Sequence, residues 1–279
     1  MSQIDFEKVA THLLENNIRV PAFEKMLVIT DASTSALAEG LHEALEKRIP
    51  QCEILHMKDS EKSGQEPPRW VTEKARDFEV VLAMTRHSLT HTKARKELVN
   101  RGCLFLTMPG ITSEMLQDGA LFADYPRVVR ETRRMAQKLS DADLVTIYTG
   151  ENSVLKVPVR GVEAISSEGV FASFGSGGNV PSGEAFLAPV EGEAKGTYLV
   201  DGSVAGIGLV GEPIELTIEG GRLVSATGEQ GRILLDLLGE GPGRNVAELG
   251  IGTNHKARLI GEILEDEKSF WHSPYSVWI

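Results

Sequence analysis

This sequence is short of cysteine and of positive charge, and each shortage excludes something. Two cysteines in 279 residues make no disulfide framework. Cys52 and Cys103 each stand at the edge of an apolar strand-like run and read as reduced core residues of a cytoplasmic protein. Lys and Arg number 29 against 40 Asp and Glu, a formal net charge of −11, which argues against non-specific nucleic-acid binding. No apolar run approaches the roughly 20 residues that span a bilayer. The best, Lys25–Thr30 and Val80–Met84, are strand-sized. Met1–Lys8 is polar and carries Asp5 and Glu7, so it does not read as a secretory signal peptide. What is present is enough apolar residue, 41%, and a mean hydropathy of −0.12, to exclude a disordered chain and to fill one large domain or two ordinary ones.

The two halves follow different patterns. In the first, apolar runs alternate with helical ones: Lys25–Thr30, Cys52–His56, Glu79–Met84, Leu104–Met108 and Leu144–Tyr148 as strands, with helices over Ser33–Lys47, Val71–Arg76, Thr92–Asn100 and Tyr125–Leu139. Strands apolar throughout and separated by helices predict a doubly wound, mostly parallel sheet covered on both faces. After Gly150 come period-2 runs with Gly-rich turns: Val154–Val159, Glu184–Pro189, Thr197–Val200, Ile214–Ile218 and Leu223–Ala226. Glu219-Gly220-Gly221-Arg222 predicts a hairpin turn. One helix, Gln230–Leu238, carries Ile233, Leu234, Leu237 and Leu238 on its expected buried side. The expectation is therefore an α/β domain over residues 1–150 and a β-rich α+β domain over 151–279.

Gly175-Ser176-Gly177-Gly178 lacks the Lys-Ser/Thr of a phosphate loop and reads as a hinge or tight turn. Asp31–Ser35 could hold an anion at a helix amino terminus, and its Ser and Thr serve equally as an N-cap, the preferred reading. The segment 86–96 brings His87, His91, Lys93 and Arg95 to the carboxyl end of a strand, where open α/β sheets bind ligands. It reads as a site for an anionic group or as a solvated helix face. More suggestive is Asn179-Val180-Pro181-Ser182-Gly183-Glu184, where a stiff turn pins a carboxylate at the entry of an apolar strand. Such carboxylates suit divalent metals, against the bland alternative of a surface Glu. Glu248, in the run Arg244–Asn254 and beside Gly-rich strand backbone, makes shared coordination by two strand acids reasonable, since buried carboxylates need a partner or a metal. A third acidic group, Glu262–Lys268 (EILEDEK), reads equally as a solvated helix end or loop.

At these residues the sequence resembles a known family. NVPSGEAFLAP (179–189), VAELGIGTN (246–254) and ILEDEK (263–268) are similar to the aminopeptidase T-type leucyl aminopeptidases. SLTHTKAR (88–95) and MPGITSEM (108–115) are similar to shorter members of that superfamily, which includes proteins like 2,5-dihydroxypyridine 5,6-dioxygenase. The resemblance implies an α/β domain joined to a metal-bearing β domain, assembled as a homodimer. It implies Glu184 and Glu248 as metal ligands, with Asn254 and Glu267 supporting them or meeting substrate. The metal is Zn, Co or Mg in the peptidase reading, where it would polarise a peptide carbonyl and activate water, and Fe in the dioxygenase reading. The substrate is correspondingly a small peptide or a small aromatic molecule, with no nucleic acid and no membrane as partner.

The pattern breaks after Lys268. The family's G-T-x-H does not follow D-E-K, and no H-x-D pair appears; residues 269–279 read SFWHSPYSVWI. Written in codons allowed for every residue and read one base later, that stretch becomes A-F-G-T-V-H-I-A-F-G. The tail is therefore read as out of frame. The metal histidine of the restored frame falls at position 274, where Pro274 stands, and His272, Trp271, Tyr275 and Trp278 are given no role. The chain as it stands is expected to show weak or absent catalysis, with a non-catalytic remnant as the third reading.

Overall fold

The computed structural model describes residues 4–269 and 277–278. Its strands are β1 Lys25–Thr30, β2 Gln51–His56, β3 Val80–Met84, β4 Leu104–Thr107, β5 Leu144–Thr149, β6 Ser153–Pro158, β7 Ile165–Ser167 and β8 Gly177–Asn179. They continue with β9 Glu184–Leu187, β10 Lys195–Val200, β11 Ser203–Val204, β12 Gly208–Leu209, β13 Ile214–Glu219, β14 Arg222–Ala226, β15 Leu249–Gly252 and β16 Val277–Trp278. The helices are α1 Phe6–His12, α2 Ser35–Leu45, α3 Arg69–Ala75, α4 Lys93–Asn100, α5 Tyr125–Ser140, α6 Gly228–Leu238 and α7 Ile263–Asp266. No helix among the described residues is long and apolar enough to cross a membrane. Trp271, His272 and Tyr275 of the tail lie outside the described residues.

The chain packs as two units, residues 1–125 with 169–182, and residues 126–168 with 183–279. The first holds a five-stranded, all-parallel sheet in the order β2-β1-β3-β4-β8. The side chains of β3 and β4 are buried along their whole length, as continuous apolar runs in a sheet covered on both faces require. The parallel α/β expectation holds here, with one addition. Gly177–Asn179, read as part of a turn, is the fifth strand. A Cβ on Gly177 would come 2.0 Å from the Phe105 carbonyl oxygen, so the close approach to β4 admits only glycine. Glycine's low β-propensity hides such a strand from pattern reading.

The second unit has a five-stranded antiparallel sheet, β14-β13-β10-β6-β5, and a four-stranded one, β16-β15-β9-β7. Alternate residues of β6 and β13 (Leu155 and Val157; Ile214, Leu216 and Ile218) enter one core with Ala185, Leu187, Leu249 and Ile251, and with Met135 and Leu139 of α5. The expected hairpin is present: Gly220 and Gly221 both have positive φ, +54° and +70°, as a type I′ turn needs. Three expectations are corrected. Leu144–Thr149 pairs antiparallel with β6 rather than extending the parallel sheet. The link through Gly150 is too short for the crossover that parallel neighbours demand. The chain consequently passes to the second unit within α5, ahead of the boundary expected near Gly150. Finally, α6 presents Leu234, Leu235 and Leu238 to the core, while Ile233 and Leu237 stay 41% and 59% exposed. Gly231, whose Cβ would meet Ala226 main chain at 2.9 Å, lets this face sit close against β14.

Both cysteines are free; Cys103 is buried as expected of a core residue while Cys52 is half-buried, and burial pushes each thiol up to about 12. His12 ends α1, packed edge-on against Phe122 at 5.4 Å between ring centroids and beside Tyr125. Its Nε2 is buried with no hydrogen-bond partner among the described residues. Burial, and then the Lys8 charge, hold its imidazole below the usual range. An unfolded histidine titrates near about 6.5, so as pH falls the unfolded chain takes up this proton first. The stability His12 contributes is complete above about pH 6.5 and is lost as pH falls from there through the folded value. Unfolding midpoints recorded between about pH 7 and pH 5 are expected to fall, and His12→Phe to flatten that slope. An unchanged slope in the variant would assign it to other groups.

Candidate functional site at the buried carboxylates

Glu184 opens β9, and the turn before it explains its placement. Gly183 has φ +126°, and a Cβ there would strike Asn254 Cβ at 2.8 Å and Val128 at 2.9 Å. Antiparallel pairing then sets Glu184 opposite Gly252 of β15 and Ser167 of β7. The two glycines of Leu249-Gly250-Ile251-Gly252 give the site its room. A Cβ on Gly250 would lie 2.3 Å from Glu184 Oε1. One on Gly252 would lie 2.3 Å from the Ser269 carbonyl oxygen and 2.8 Å from the Lys268 carbonyl carbon. Thus β15 carries no side chain where the Glu184 carboxylate and the 267–269 backbone pass over it. The Gly-rich character noted beside Glu248 in the sequence has this physical cause.

The EILEDEK run is not a solvated helix end. Glu265 and Asp266 are fully buried and hold the preceding loop. Asp266 accepts from the Ile260 and Gly261 amides at 2.7 and 3.0 Å, and Glu265 from the Arg258 amide at 3.2 Å. This fixes the chain that follows. The Lys268 amide donates to the Glu265 carbonyl, and its own carbonyl accepts from the Asn254 amide at 2.9 Å. Asn254, expected near the metal or substrate, is fully buried and orders this loop, its Oδ1 accepting from the Lys256 amide at 3.0 Å. Thr253 ties the same corner to α5 through Thr132, hydroxyl to hydroxyl at 2.6 Å.

Lys268 is what the sequence reading missed. It is 1% exposed, and its Nζ donates to Glu184 Oε2 at 2.8 Å and to Glu267. Burial pushes the Glu184 carboxyl up, Lys268 pulls it back, and Glu267 and Glu248 push it up again; the balance is upward. Burial opposes the Lys268 charge, but Glu184 and Glu267 outweigh it and hold the ammonium above the usual lysine range. Glu248 lies just before β15 rather than within a strand, and is open to solvent. Its carboxyl is raised by partial desolvation and by the Glu267 charge, and lowered by Lys268. Lys268 thus bridges Glu184 and Glu267 by hydrogen bonds, while Glu248 feels the pair only through its charge. The D-E-K run was visible, but nothing in it told which of its charges would point inward.

A zinc centre takes three or four side-chain donors and calcium six to eight oxygens. Among the described residues no three of His, Cys, Asp and Glu are grouped in that way. One oxygen of Glu184 is already engaged by an ammonium. The described residues do not fit a divalent metal.

The segment 86–96 gives a different answer from its anion-site reading. Glu66 places its carboxylate on the first amides of α4, 2.6 Å from Lys93 N and 3.1 Å from Ala94 N, so the anion there is the protein's own. Arg95 donates to the Thr90 and Gly177 carbonyls at 3.2 and 2.6 Å, fastening β8. His91 and Lys93 are exposed and His87 is half-buried. Thr34 stands before α2 without capping it; its hydroxyl lies 2.6 Å from the Met84 carbonyl instead.

No protein-family model matches the chain, and no curated protein matches it. Several solved structures share its fold, and two of them are instructive. One is 2,5-dihydroxypyridine dioxygenase from Pseudomonas putida KT2440, at TM-score 0.73 and 16% identity over 93% of this chain and 79% of that one. The other is AmpT (aminopeptidase T) from Thermus thermophilus, at TM-score 0.64 and 16% identity over 94% and 83%. Likeness at this identity is likeness of fold, and it extends over both units.

Proposed function

We propose that this chain is built on the scaffold of a metal-dependent aminopeptidase of the aminopeptidase T type, with Glu184 and Glu248 as the surviving carboxylate donors. Glu184 carries the reading: a carboxylate 5% exposed, set by Gly183 and spared by Gly250, in a fold shared with AmpT. Among the described residues its donor set is short, and the chain as it stands turns over little or no substrate on this reading. A small peptide as substrate, a homodimer and a cytosolic location belong to the same reading. The second reading is a ring-cleaving dioxygenase, favoured by the higher TM-score of the dihydroxypyridine enzyme.

The purified 279-residue chain is expected to leave Leu-p-nitroanilide uncleaved with cobalt or zinc, and to take up no oxygen on a dihydroxypyridine with ferrous iron. Oxygen uptake on the dihydroxypyridine without peptide cleavage would replace the peptidase by the dioxygenase. Robust metal-dependent cleavage by the 279-residue chain would overturn the impaired-centre reading.

A further inference from the structure

We propose that Lys268 is the resident cation of the buried carboxylate centre, seated where a divalent ion would have to sit to use Glu184, so that this chain holds its carboxylates together without metal. The proposal requires only the ion-pair geometry and stands whether the scaffold is that of a peptidase or of a dioxygenase.

Buried carboxylates side by side repel and are tolerated only with a counter-charge. Here that charge is supplied from within: the Lys268 ammonium is 2% exposed at its side chain and reaches both Glu184 and Glu267. It is not a surface lysine that happened to fold inward. Its main chain is fastened on both sides, to Glu265 and to Asn254, and the strand beneath it is bare glycine at Gly252. Asp266 and Glu265 accept from the amides of the loop that leads to it. The ammonium is thus preorganised, and a second cation brought to the same Glu184 oxygen is repelled. With Lys268 neutralised, Glu184 and Glu267 lose their counter-charge, and the buried Glu184 carboxyl has to take up a proton or a divalent ion in its place.

The test titrates the full chain with manganese and with zinc after chelation, by calorimetry and by thermal unfolding. The unaltered chain is expected to bind neither ion at the centre and to keep its midpoint. Lys268→Met is expected to lose roughly 10 °C and to recover roughly 5 °C of it with saturating manganese or zinc at one ion per chain. Glu184→Gln with Lys268→Met is expected to regain stability without an ion and to lose the metal response. One-to-one binding by the unaltered chain that Glu184→Gln abolishes would overturn the proposal, as would a folded Lys268→Met chain indifferent to both ions. If Lys268→Met does not refold under any condition, the double variant decides. Its recovery supports charge compensation by Lys268, and a double variant that is equally unfolded rejects it.

Discussion

Replacing Lys268 by methionine is expected to destabilise the second unit by about 3–5 kcal/mol, the range for removing one partner of a buried ion pair. Methionine fills similar volume, so the loss is electrostatic rather than a cavity. Glu184 would be left 5% exposed with its raised pKa no longer opposed by the ammonium, and Glu267 and Glu248 would still push against it. Denaturant unfolding of the single variants and of the Lys268→Met, Glu184→Gln double variant checks this. The double variant is expected to be far more stable than the additive sum, because neutralising both partners removes the uncompensated charge. Additive losses would show that Lys268 matters through packing alone.

Gly252→Ala is expected to cost about 1–3 kcal/mol or more, the usual penalty for overpacking a filled interior. The added Cβ meets main-chain atoms of residues 267–269, which cannot rotate away as a side chain would. Relief requires the segment carrying Glu267 and Lys268 to lift from β15, which breaks the Lys268–Glu184 contact. Gly241→Ala, whose Cβ would meet nothing within 4 Å, is the control and is expected to change stability by less than about 0.5 kcal/mol. Equal effects of the two substitutions would remove the close approach at Gly252 as a feature of the site.

Some of this protein was legible residue by residue. The parallel sheet followed from Lys25–Thr30 and Val80–Met84, because strands buried on both faces leave no polar alternation. The antiparallel unit followed from the period-2 runs of β6 and β13, and its hairpin from Gly220-Gly221. Glu184 was singled out because Pro181 and Gly183 constrain the turn before it. Other elements were legible only in part. The tight link through Gly150 was in plain view, yet Leu144–Tyr148 looked like the strands before it.

Local pattern, then, determined the element types, the two kinds of sheet and the carboxylates that merited attention, since each of these depends on residues near in sequence. Tertiary structure decided the rest. That β8 is a strand depends on Phe105, and that the α4 amino terminus is filled depends on Glu66. Above all, the cation of the carboxylate centre is a lysine 84 residues from its partner. Charge pairing acts through distance in space, and only the register of β9 against β15 brings Glu184 and Lys268 within reach.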